Sequence, residues 1–114
     1  MDLKTTISNH LKSLTSIQYS SIEGSMEQLN STVKVIRSYQ DYYIKVSESY
    51  KKNHESINHK IASKLTVIKI ALLKSKNEQR LFLSTGKLKH KNNYADSLQK
   101  VIEELKELQV IIEK

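Results

Sequence analysis

The residues in this chain best suited to chemistry sit close to known arrangements but miss their spacing. His54-Glu55-Ser56-Ile57-Asn58-His59 approaches the helical zinc motif, in which two histidines four positions apart hold the metal and the glutamate acts as base. Here the second histidine stands five positions on, which turns it about 100° away on a helix and leaves Asn58 in the ligand position. These residues read as polar side chains at a helix junction. Ser84-Thr85-Gly86-Lys87 contains the Gly-Lys pair of a phosphate loop but lacks its upstream glycine, and Leu88 stands where Ser or Thr would be needed. Glu103 and Glu104 are paired carboxylates, expected on the solvent side of a helix. His10 falls on an apolar stripe and reads as a histidine at the edge of a core. With no cysteine, disulfides and cysteine-ligated zinc are excluded. The expectation is a chain with no catalytic, cofactor or metal site, and therefore not an enzyme.

One charged feature does stand out. The net charge of +7 is unevenly placed: residues 1–56 carry +1, residues 57–93 carry +8 and residues 94–114 carry −2. Lys74, Lys76, Arg80, Lys87, Lys89 and Lys91 form a basic patch that could follow phosphates, with His90 among them. The patch has no interleaved aromatic platform for stacking bases and little arginine. A charge-complementary contact, within the chain or with a protein partner, fits it better than nucleic acid, which is the alternative. An anionic membrane is less expected still.

The elements that position these residues follow from what is missing. There is no proline, and Gly24 and Gly86 are the only two glycines in 114 residues. Little in such a chain stops a helix, since interior proline costs about 3 kcal/mol and glycine about 1 kcal/mol relative to alanine. The hydrophobic fraction of 38% is below that of an average domain, which predicts narrow apolar stripes and a thin core.

Four helical segments emerge, at about 3–22, 25–53, 55–83 and 94–113, with a basic loop over 84–93, in a single helical domain spanning 1–114. In the first, Leu3, Ile7, Leu14 and Ile17 share a face with His10. In the second, Met26, Leu29, Val33, Ile36, Tyr43, Val46 and Tyr50 follow a heptad seam with Gln40 in one slot. Tyr39, Tyr42 and Tyr43 cluster there, as a core edge or, for Tyr39 and Tyr43, as an interface. The third carries two stripes, Ile57, Ile61, Leu65, Ile68 and Leu72 on one and Val67, Ile70 and Leu81 on another. A helix with two apolar faces belongs at the centre of a bundle or between this chain and a partner. In the last, Tyr94, Leu98, Val101, Leu105, Leu108 and Ile112 alternate four- and three-residue steps, and Asp96 with Gln99 matches a capping box. Ser20 to Ser25 and Lys51 to Ser56 are the places for turns or bends, and a continuous helix through the second is an alternative.

The fold class expected is all-α: three or four long amphipathic helices in an antiparallel bundle or an extended coiled-coil hairpin. In composition the chain resembles short coiled-coil subunits of eukaryotic multi-subunit assemblies. The expected function is a non-enzymatic interaction or scaffold subunit that assembles with itself or with partner proteins. Leu98, Leu105, Leu108 and Ile112 would supply core or interface. With no apolar signal core at the N-terminus and no stretch of about 20 apolar residues, an intracellular location, cytoplasm or nucleus, is expected.

Overall fold

Helix follows helix throughout the computed structural model, which describes residues 3–23, 26–52 and 56–113. The elements are α1 (Leu3–Glu23), α2 (Met26–Ser31), α3 (Val33–Lys51), α4 (Ser56–Thr85) and α5 (Leu88–Glu113). The fold is all-helical among the described residues, and the four long helices pack against one another. The 30 residues of α4, at 1.5 Å each, account for the long axis of the 45 × 21 × 20 Å molecule. The two short dimensions fit two helices side by side in each direction. α4 packs along both α3 and α5, and α1 lies along α5. α3 and α4 are thus separate helices, and one continuous helix through both is excluded. Gly24, Ser25 and residues 53–55 lie outside the described residues.

The core forms where the apolar stripes meet. Ile7, Leu14 and Ile17 of α1, Ile36 and Tyr43 of α3, Ile61, Leu65, Ile68 and Leu72 of α4, and Tyr94, Leu98, Val101, Leu105 and Leu108 of α5 belong to one buried cluster. The polar slot expected at Gln40 is also buried.

Three expectations about the elements are corrected. The segment 25–53 is two helices, α2 and α3, meeting at Thr32. No glycine or proline stands there. Thr32 keeps near-helical dihedrals, and its carbonyl accepts from Ile36 N–H at 3.1 Å. Its hydroxyl makes no cap and instead accepts from Gln79 Nε2 of α4 at 2.6 Å, so the interruption coincides with a tertiary bond. Second, the ten-residue basic loop is a two-residue link. Gly86 takes φ 71, the left-handed conformation that ends a helix, and its N–H reaches the Phe82 carbonyl at 2.7 Å. α5 then starts at Leu88, because lysine, histidine and asparagine permit a helix once no proline or glycine stops it. Third, Asp96 and Gln99 are consequently interior to α5 and cap nothing.

Buried polar groups set how the helices meet. Gln79 Nε2 also donates to the Tyr94 hydroxyl at 3.2 Å, which joins α4, α5 and the α2–α3 junction. Burial pushes the Tyr94 phenol up to about 12. Lower down, Ser75 Oγ lies 2.8 Å from Ser97 Oγ, which donates to the Tyr94 carbonyl at 2.8 Å. Gln18 donates to Gln99 at 2.7 Å and Gln109 to Ser8 at 3.0 Å, so α5 residues descend as α1 residues rise.

Leu105 is fully buried and Val110 is half exposed. Leu105→Ala is therefore expected to cost about 2–5 kcal/mol in urea denaturation, and Val110→Ala within about 0.5 kcal/mol. Equal costs would contradict the placement of α5.

Candidate functional site

The basic patch is divided by α4 rather than gathered by it. Lys74 lines a groove on the α5 side with Ile70, Asp96 and Lys100. Lys76 and Arg80, rotated around the helix, face a cleft on the α3 side. Lys87 and Lys89 are exposed at the link, and Lys91 is half-buried. Between the two groups, His90 Nδ1 lies 2.7 Å from Glu78 Oε2. The hydrogen bond from His90 holds the Glu78 carboxyl below its usual value.

The cleft on the α3 side has a volume of about 520 Å³ and is lined by residues of α2, α3 and α4. Arg37 of α3 joins Lys76 and Arg80 there, with Asn30, Asn77 and Ser84 as hydrogen-bonding groups and Val33 and Leu83 as apolar wall. Among the described residues, Arg37, Lys76 and Arg80 take part in no ion pair. Arg37 escapes a sequence reading because it lies in the nearly neutral first half of the chain.

A second ionic arrangement lies toward the other end of α4. Lys64 Nζ donates to Glu104 at 2.7 Å and also bonds Glu107, while Lys100 pairs with the other Glu104 oxygen at 2.8 Å. Glu104, expected on the solvent side, is buried. Two ammonium groups cover its carboxylate, and hydrogen bonds from Lys100 and then Lys64 hold its pKa below the usual value.

His10 and the tyrosines, which lie far apart in sequence, form one cluster. His10 Nδ1 is 2.8 Å from the Tyr43 hydroxyl, and the ring packs against Tyr39 at 4.2 Å and edge-on to Tyr42 at 5.3 Å. Tyr43 is fully buried and Tyr39 half-buried, so these rings join α1 to α3. Burial lowers the His10 pKa from 6.5 and raises that of Tyr43.

The residues expected as interface are placed mostly inside. Leu98, Leu105 and Leu108 are fully buried within the chain, and Ile112 is half-buried. Their apolar surface is spent on α1 and α4, leaving none of these three leucines to a partner in this fold. The second stripe of α4 is different: Val67 and Ile70 are 38% and 59% exposed, and Leu73, which the stripe did not include, is 42% exposed near them. Leu81, assigned to the same stripe, is half-buried.

Of the zinc-like stretch, His54 and Glu55 lie outside the described residues, and His59 is exposed on α4. Among the described residues, no three His, Cys, Asp or Glu side chains group as metal ligands, and no helix is long and apolar enough to cross a membrane. The Ser84 and Thr85 hydroxyls donate to the Leu81 carbonyl at 3.2 and 2.7 Å, within the last turn of α4. Compared with known proteins, the chain matches no protein-family model, no curated protein and no solved structure.

Two pH effects follow. The folded chain holds neutral His10 in preference to the charged form, so the unfolded chain takes up that proton first. Its stability contribution is full above about pH 6.5 and declines as pH falls below it. Melting temperature from pH 8 to about 5 should therefore fall more steeply than in a His10→Gln variant. Glu104 is depressed, so its contribution is full above about 4.5 and is lost as pH drops through the lower folded-state value. Glu104→Gln should be less stable at neutral pH, with the deficit shrinking below about pH 4. A deficit constant with pH would contradict the ionic role.

Proposed function

We propose that the chain is a non-enzymatic interaction subunit, a single domain built as an antiparallel bundle of amphipathic helices. It packs a helix from another protein against the outer face of α4. The observation that carries this reading is the exposed row Val67, Ile70 and Leu73 on a helix whose other face already fills the core. An apolar row beyond what the bundle uses is the surface that helix-in-groove recognition needs. The occupant is argued from charge. Exposed Lys60 shares a groove with Val67, and exposed Lys74 shares one with Ile70. An amphipathic helix with carboxylates beside its own apolar stripe complements both ends of this row.

Nucleic-acid binding by the 74–91 segment is the second reading. The division of its cations between two sides of α4 argues against a continuous phosphate track. A salt series with DNA and RNA, run on the wild type and a Lys87/Lys89/Lys91→Glu variant, separates the two readings.

The test of the first reading is Ile70→Asp combined with Val67→Asp. Both side chains are exposed, so the folded chain should persist, as read by its melt. Proteins co-isolated with the tagged wild-type chain should be lost with the double variant and retained with Lys12→Asp, on exposed α1 surface. Retention by the double variant would contradict the docking face. Loss of self-association in sedimentation, rather than of another protein, would replace the partner with a second copy.

A further inference from the structure

We propose that the cleft between α3 and α4 binds a phosphate-bearing small molecule, gripped by Arg37, Lys76 and Arg80. The site is separate from the α4 outer face and does not depend on it. Three cations from two helices converge on one concavity, and none has an ion-pair partner among the described residues. Among the described residues, Lys60 and Lys74 of α4 are unpaired as well, but Lys60 shares its groove with ion-paired Lys64, and Lys74 shares its groove with Asp96 and ion-paired Lys100. In the cleft three unpaired cations gather, and no carboxylate of the described residues lines it. An anion relieves that repulsion.

Phosphate fits better than carboxylate as the anion class. Two of the three cations are arginines, whose planar donor forks match phosphate oxygens, and three positive groups suit a ligand carrying more than one negative charge. The 520 Å³ volume is larger than a bare phosphate needs and falls in the range of small-molecule sites. The remaining lining describes the rest of the ligand. Asn30, Asn77 and Ser84 offer hydrogen bonds to hydroxyls, while Val33 and Leu83 offer an apolar wall. A polyol or ring bearing two or more phosphates meets all of these. Such a group occurs on free metabolites and on lipid headgroups, and the cleft recognises what the two share.

The test is binding of two probes by the full chain: soluble inositol trisphosphate by calorimetry, and phosphatidylcholine vesicles containing phosphatidylinositol bisphosphate by co-sedimentation. Sulfate at matched ionic strength is the control. The proposal expects at least one probe to bind. Arg37→Gln and Arg80→Gln should each weaken that binding by roughly tenfold or more, as loss of a charge-assisted contact implies. Lys87→Gln/Lys89→Gln/Lys91→Gln should leave it within about twofold, since those residues do not line the cleft. Soluble binding alone identifies a free phosphorylated molecule, and vesicle binding alone a headgroup presented on a membrane. Either supports the cleft. Arg37→Lys and Arg80→Lys keep the charge and lose the fork, so intermediate affinity in folded protein preserves the test should a glutamine variant unfold. No binding of either probe overturns the proposal. So does binding that sulfate reproduces, or that the lysine triple variant abolishes while the arginine variants do not.

Discussion

The seam of α5 is the constraint on which the rest of the molecule depends. Tyr94, Leu98, Val101, Leu105 and Leu108 are all fully buried, in alternating four- and three-residue steps that keep one face turned inward over four turns. In a chain with a thin supply of apolar residues, this is the longest uninterrupted stripe, and α1 and α4 are both organised against it. α4 then carries α3 on its other side. The arrangement makes α5 and α4 the shared walls of the fold. α1, rich in serine and threonine, is held by α5 and by the His10–Tyr43 contact. An apolar seam attracts without specifying alignment, and the polar groups within it supply that. Gln79 favours one register through its bonds to Thr32 and Tyr94, because a slip would bury its amide without them, while Ser75 and Ser97, each also bonded to a carbonyl of its own helix, add a contact between α4 and α5.

The proposed function rests on what this packing leaves over. Four helices enclose one core, and α4 has more apolar surface than one core can take. Val67, Ile70 and Leu73 stay outside, while Lys60 and Lys74 beside the row make its surroundings basic. On the α3 side, the same helix turns Lys76 and Arg80 toward Arg37 and forms a cationic cleft. One long helix thus presents three surfaces: one that fills the core, an exposed apolar row proposed for docking and a cationic cleft proposed for an anion. The 3.6-residue periodicity turns the core face away from the other two, while the cleft follows the apolar row along the helix axis, since Arg80 stands seven residues after Leu73 on nearly the same face.

Much of this was legible in the sequence where the signal is local. The spacing of Leu98, Leu105 and Leu108 predicts their shared face, Ile61, Leu65, Ile68 and Leu72 predict theirs, and Gly86 marks the end of α4. Gln40 occupies a seam position and is buried there. The features that were not legible depend on partners distant in the chain. The break at Thr32 coincides with a bond from a residue 47 positions away. Glu104 looks like a solvated helix acid until Lys64 reaches it from 40 positions away. Arg37 enters the cleft only when α3 lies along α4. The expected ten-residue loop is helical from Leu88 for a different reason: charge suggests solvent, but solvent exposure is compatible with a helix, and nothing in 88–93 breaks one.

The central claim is that the apolar seam of this thin core is closed within one chain. Helical circular dichroism through a thermal melt, at two protein concentrations, tests it most directly. A cooperative melt is the predicted result, since α1, α3 and α4 already bury the stripe of α5 or of one another. A midpoint that rose with concentration would add self-association through the outer surface. A weak, non-cooperative melt would contradict the claim, because it would mean that the core is completed only by another protein.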